Sequence, residues 1–211
     1  MLEAFLAAWI GVALAQASPG PNMMAVAALA LGQGRKAALL VVAGIATGTL
    51  VWAAAVVLGL GALFAAFPLL LTLLKFAGGF YLLFMGFKAL HTIFSGKAPA
   101  VRAATATLSD RAAWRRGFFV VMTNPKAALM WSALATFLFG SGLNGMQVLA
   151  FGPVVALSAM AIYGTYAILF STGMAMRAYT RFWRMLEAAF GLAFGALGAT
   201  LLIWGVQDLR G

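Results

Sequence analysis

Two short stretches hold residues suited to a charged small molecule within a largely apolar chain: Ser18-Pro19-Gly20-Pro21-Asn22 and Thr123-Asn124-Pro125-Lys126. Pro19 and Pro21 lack an N–H and Gly20 adds backbone freedom, so a helix entering this stretch must break. Pro21 suits the first position of a new helix running to about Leu31. Asn124 suits an N-cap, with Pro125 in the first turn of a second helix. Unpaired N–H groups at helix starts carry partial positive charge and favour an anion such as a carboxylate. Lys126 adds a full positive charge. Asn22, Asn124 and Lys126 are therefore expected to line one cavity near the bilayer midplane. Lys75, in LLKFAGGFYLLFMG, is a second basic residue in an apolar run; snorkelling outward to water is its alternative.

Other chemistries fit less well. Ser18 with Lys75 or Lys126 could form the nucleophile and base of an intramembrane hydrolase, but no HExxH, GxSxG or acid pair accompanies them. A cation carrier would want intramembrane carboxylates or thiolates. The chain has no cysteine, which excludes disulfides and thiolate metal sites, and no cofactor or metal is expected. The lone His91 lies at the end of an apolar run and reads as an interfacial residue.

The elements that must position these residues are set by hydropathy. Hydrophobic residues make up 64% of the 211, 9% are charged, and the mean hydropathy is +1.02, far outside the range of soluble domains. A membrane span needs about 20 apolar residues. Six such runs are read, at 2–32, 38–65, 69–93, 117–140, 146–174 and 185–206. The run from Leu2 to Ala15 followed by Ala15 and Ala17 resembles a signal-peptide cleavage site, but the only charge before Ser18 is Glu3, and such a peptide needs a basic start. The broken-helix reading is preferred.

The net charge of +10 is concentrated in alternate connections. Arg35 and Lys36 occupy the first, Lys88, Lys97, Arg102, Arg111, Arg115 and Arg116 the third, and Arg177, Arg181 and Arg184 the fifth. The positive-inside rule then places these three in the cytoplasm and both termini outside. The basic stretch 97–116 is read as a loop facing anionic lipid rather than nucleic acid. Three spans on either side of it require opposite orientations if the halves share a fold. GFYLLFMG at 79–86 matches GATLLIWG at 198–205, Gly48-Thr49 parallels Gly164-Thr165, and proline interrupts both the first and fourth spans. The expected architecture is an all-α integral membrane protein with six transmembrane helices in two inverted three-helix repeats (1–95 and 117–211, joined by the loop 96–116), the first and fourth helices broken. Gly44-x-x-x-Gly48 and Gly191-x-x-x-Gly195 read as packing faces.

The chain resembles the lysine exporter and homoserine/threonine-resistance (LysE/RhtB) family of bacterial amino-acid exporters. The residues that carry the resemblance are SPGPN at 18–22, GQGRKAA, GIATG at 44–48, LLKFAGGFYLLFMGFKAL at 73–90 and GFFVVMTNPKAAL at 117–129. It implies a multi-pass inner-membrane secondary transporter, not an enzyme, moving amino acids or related metabolites outward by alternating access. The implied partners are the amino acid, membrane lipid, protons as coupling ion and a second copy in a homodimer. The family's motifs carry over onto Pro19 to Asn22 and Asn124 to Lys126. Ser18, Thr49 and Lys75 complete the expected substrate-binding set. Many members have an acid after the glycine matching Gly48, where this chain has Thr49, and the fourth span lacks the family's usual Pro-Gln.

With Glu187 read at the cytoplasmic edge of the sixth span, no carboxylate is expected in the membrane interior. Lys75 and Lys126 then stand there unopposed. Two like charges 6 Å apart at an effective dielectric of about 20 cost about 3 kcal/mol. A cationic side chain would be repelled, so the expected substrate is a neutral amino acid or related carboxylate, with Phe, Met and Ala walls around a small or branched side chain.

Overall fold

The computed structural model describes residues 2–18, 20–60, 67–96, 103–104, 107–172 and 174–209. Among them every regular element is helical. Helix α1 spans Leu2–Ala17 and stops where Ser18 turns its hydroxyl back to the Ala15 carbonyl, 3.0 Å away. Pro19 lies outside the described residues. Gly20 is extended, and α2 (Pro21–Ala55) begins with proline in its first turn, where the missing N–H costs nothing.

Helix α2 is two helices joined at Gly34, whose φ of 82° is open to glycine and strained for other residues. The turn reverses the chain. Asn22 and Thr49 line one cavity, whereas 27 residues of straight helix would part them by about 40 Å. A π-helical turn, Val56–Leu60, ends the return leg.

Helix α3 (Pro68–Ser95) closes on Gly96 in the left-handed conformation. Helix α4 (Asp110–Thr123) starts at Ser109, whose hydroxyl accepts from the Ala112 N–H. Helix α5 (Pro125–Gly140) follows after the single non-helical residue Asn124. Asn144 and Gln147 cap each other at the start of α6 (Gly145–Ser171), and α7 runs from Met174 to Asp208.

Among the described residues, four stretches are long and apolar enough to cross a membrane: Pro21–Gly59, Lys75–Ser95, Gly145–Ser171 and Arg181–Asp208. The shorter apolar helices Leu2–Ala17 and Lys126–Gly140 lie beside the two breaks. Two boundaries differ from the sequence reading. Helix α4 already begins at Asp110, and the stretch from Met174 to Arg184, read as a basic connection, is the first part of α7. Trp183 is buried there, so an apolar anchor holds the basic segment in helical form.

Glycine sets the closest helix contacts. Gly44 and Gly48 on α2 face Trp114, Phe118 and Val121 of α4, with no room for a side chain. Helices α3 and α7 cross antiparallel along a second seam. A Cβ at Gly79 would sit 3.0 Å from the Gly198 carbonyl, and one at Gly198 would sit 2.8 Å from that of Gly79. Gly79 also faces Leu202 and Gly198 faces Leu83, while Gly86 faces Gly195 and Gly205 faces Phe76.

The connections gather at two ends. At one, Ala104 N–H donates to Ala28 O at 2.9 Å, Leu108 N–H donates to the Gln33 side chain and Lys36 pairs with Asp110 at 2.6 Å. At the other, Asp208 meets Lys75 at 2.6 Å and Thr72 at 3.0 Å, and Gly145 approaches Val57. Between them the outward faces stay apolar, as at Leu58, Phe87 and Phe94.

Candidate functional site

The breaks after α1 and α4 meet inside the bundle. Asn124 Nδ2 donates to Asn22 Oδ1 at 3.1 Å, and Asn22 Nδ2 donates to the Tyr163 hydroxyl of α6 at 3.3 Å. All three side chains are buried. Asn124 does double duty, because its Oδ1 accepts the Lys126 N–H at 3.0 Å and caps α5. No side chain caps α2, so the Asn22 and Met23 N–H groups at its start remain the natural place for an anion.

Lys126 reaches back across the gap. Its Nζ donates to the Ser18 carbonyl at 3.4 Å and to the Ser18 hydroxyl, and lies 5.4 Å from the centre of the Phe194 ring. Gly20 lies directly beneath it: a Cβ there would be 3.5 Å from Nζ. Lys126, Asn22, Asn124, Ser18, Gly20 and Thr49 thus share one cavity. The Thr49 hydroxyl donates to Ile45 O within its own helix. Pro21 opens α2 from an exposed position, and Pro125 occupies the first turn of α5.

Lys75 is not part of this cavity. It sits at the far end of α3 and α7, paired with Asp208 and with its side chain 12% exposed. The structure places it beside Asp208 and Thr72 rather than beside Lys126.

The unopposed charge expected for the interior is also corrected. Lys75 is paired with Asp208, and Glu187 of α7 is buried, about 9 Å past Arg181, where the membrane-length stretch of α7 begins. One lysine at the cavity replaces two. The repulsion argument against cationic substrates therefore loses its basis.

Further residues lining the cavity were not singled out from sequence. Gln16 bonds to Val155 O at 3.0 Å and to the Ser158 hydroxyl, tying the end of α1 to α6. It was visible as the one amide in the residues that form α1. Trp131 of α5 is 1% exposed, and its Nε1 is the one buried side-chain donor or acceptor among the described residues without a partner. Such a group is costly in an empty site and available to a ligand. A tryptophan in an apolar helix gives no sequence signal of that kind.

The LysE type translocator family matches residues 13–205. The threonine efflux protein of Escherichia coli (strain K12) is 27% identical over 204 residues, 96% of this chain and 99% of that protein. The leucine efflux protein of Salmonella choleraesuis (strain SC-B67) is 32% identical over 114 residues, 54% of this chain and 52% of that protein. An uncharacterized membrane protein of Haemophilus influenzae is 22% identical over 196 residues, 91% of this chain and 92% of that protein. No solved structure matches the chain.

Proposed function

The chain belongs to the LysE type translocator family, and on that premise we propose that it exports a neutral amino acid or related carboxylate across the bacterial inner membrane by alternating access. The observation that carries this reading is the Asn124 to Asn22 bond. It joins the two helix breaks beside Lys126 and leaves the Trp131 N–H and the start of α2 free for a carboxylate. Relatives named for threonine and leucine efflux support an amino acid as cargo.

Six spans follow when the halves on either side of each break are joined and α2 is divided at Gly34. From Asn22 to the turn, and from Asp110 to Asn124, the helices run about 20 Å each, which supports a site halfway across the bilayer. The inverted repeat is supported by reciprocal contacts: shifting by 119 residues turns the Gly79 to Leu202 contact into Gly198 to Leu83, and Gly86 to Gly195 into Gly205 to Phe76. Arg35, Lys36 and Arg111 gather at one end, which the positive-inside rule assigns to the cytoplasm, leaving both termini outside. The aromatic face of α3, with Phe80, Phe84, Phe87 and Phe94 exposed, is where lipid or a second copy would pack.

Proton coupling is assigned to Glu187, the buried carboxylate, in place of the acid that Thr49 lacks. Lys126 of α5 faces Phe194 of the same helix as Glu187. The other titratable side chains on helices packed against α7 are Glu3 of α1, Lys75, Tyr81, Lys88 and His91 of α3, and Tyr163 and Tyr166 of α6.

The Ser18 to Lys126 contact is also the pair a hydrolase would use. Its geometry favours transport: the serine hydroxyl donates to Ala15 O and the ammonium donates to the serine, so no base faces the hydroxyl proton. The test is efflux of labelled threonine, leucine and lysine from proteoliposomes. The wild type is expected to move at least one neutral amino acid, and Asn124→Ala to lose most of that activity. Peptide cleavage without efflux would refute the reading.

A further inference from the structure

Lys126 has two sides. One faces the polar cavity at the helix breaks, and the other faces an apolar chamber between α1, α3, α5 and α7. Ala15, Lys126 and Met130 line both, so the two spaces are neighbours across a single lysine and a methionine. The chamber walls are mostly apolar, formed by Leu82, Met85, Leu134, Phe137 and Leu201, with Tyr81 contributing a phenol. Thr200 is there as well, but its hydroxyl donates to Ala196 O within α7 and offers the chamber no free proton.

The two spaces differ in size as well as polarity. The polar cavity has a volume of about 30 Å³ and the chamber about 180 Å³. The first has no room for a side chain. The second exceeds the roughly 150 Å³ of an engineered apolar cavity that takes up benzene. Met130 is unbranched and adaptable, a suitable divider between a charged head group and an apolar tail.

We propose that the chamber is the side-chain subsite, so that this exporter selects amino acids with bulky apolar side chains, of leucine, methionine or phenylalanine size, over small ones. The inference rests on the export reading above and narrows its substrate class. The carboxylate sits at Lys126, Trp131 and the start of α2, while the side chain passes Met130 into the chamber.

The experiment is a ladder of competitors. Proteoliposomes holding the full chain are loaded with labelled leucine, and half-saturation is measured for alanine, threonine, valine, leucine, methionine and phenylalanine. Each buried methylene is worth about fourfold in affinity, so leucine should bind at least about tenfold more tightly than alanine. Leu82→Trp, which fills the chamber, should remove the leucine advantage. Met85→Ala, which enlarges it, should extend the ladder toward tryptophan. Equal affinity across the wild-type ladder overturns the subsite while export stands. So does a Leu82→Trp variant that keeps the wild-type preferences, the result expected if lipid fills the chamber. Failure to move any of the six overturns the export reading and the subsite with it.

Discussion

At the scale of the residue, Lys126 and Trp131 carry distinguishable expectations. Lys126→Met removes the charge but keeps most of the stem, so efflux should fall at least about tenfold while the amount of folded protein in the membrane stays near wild type. Parallel loss of both would mark the lysine as structural. Trp131→Phe removes a buried donor that has no partner in the empty protein. Half-saturation should rise about fivefold, the value of one hydrogen bond of about 1 kcal/mol, while the melting temperature stays level or rises. A packing role would lower the melting temperature instead. Glu187→Gln should abolish efflux driven by a pH gradient and spare leucine exchange, measured in the same vesicles. The prolines and asparagines of the breaks were legible in sequence because proline geometry and capping act locally. The burial of Glu187 was not legible, because it depends on which neighbours α7 packs against.

At the scale of the element, the glycine seams decide how closely helices approach. A Cβ at Gly44 would collide with the backbone of Trp114, whereas one at Gly164 would meet nothing within 4 Å. Gly44→Ala should therefore destabilise by about 1–3 kcal/mol, the usual cost of overpacking, and Gly164→Ala should be near neutral. Detergent melting curves of the two variants make the comparison; similar losses in both would mean that the α2 to α4 contact has room for a methyl group. The spacing of Gly44 and Gly48 revealed their packing role without a structure. The Gly191 and Gly195 pair was only half legible. A Cβ at Gly191 would meet Leu90, while Gly195 supplies bare backbone to Gly86 and has open space beyond its own Cα. Spacing identifies a small face but not which member is pressed.

At the scale of the whole molecule, the two ends differ in charge. The absence of cysteine makes orientation directly measurable, because any introduced thiol is the sole target of a maleimide. Ser109→Cys, beside Asp110 and Lys36, should be labelled only when the reagent reaches the cytoplasm. Ser141→Cys, in the turn after α5, should be labelled in intact cells with the outer membrane permeabilised. The reverse pattern would invert the assignment. Alternating charge was readable because it needs only the order of loops along the chain. The chamber beside Lys126 was not readable, since its walls come from four helices spread from Ala7 to Trp204, and apolar residues at helical spacing look alike whether they face lipid, core or a void.

The unpaired indole of Trp131 also makes the protein its own optical reporter. An indole N–H that gains a strong acceptor emits at longer wavelength. Binding of a carboxylate should thus shift emission even in detergent, where no gradient exists and nothing can be carried anywhere. The chain has six tryptophans, so the Trp131→Phe difference spectrum isolates the signal. Occupancy can then be measured apart from transport, and a variant that binds but does not move its cargo becomes distinguishable from one that no longer recognises it.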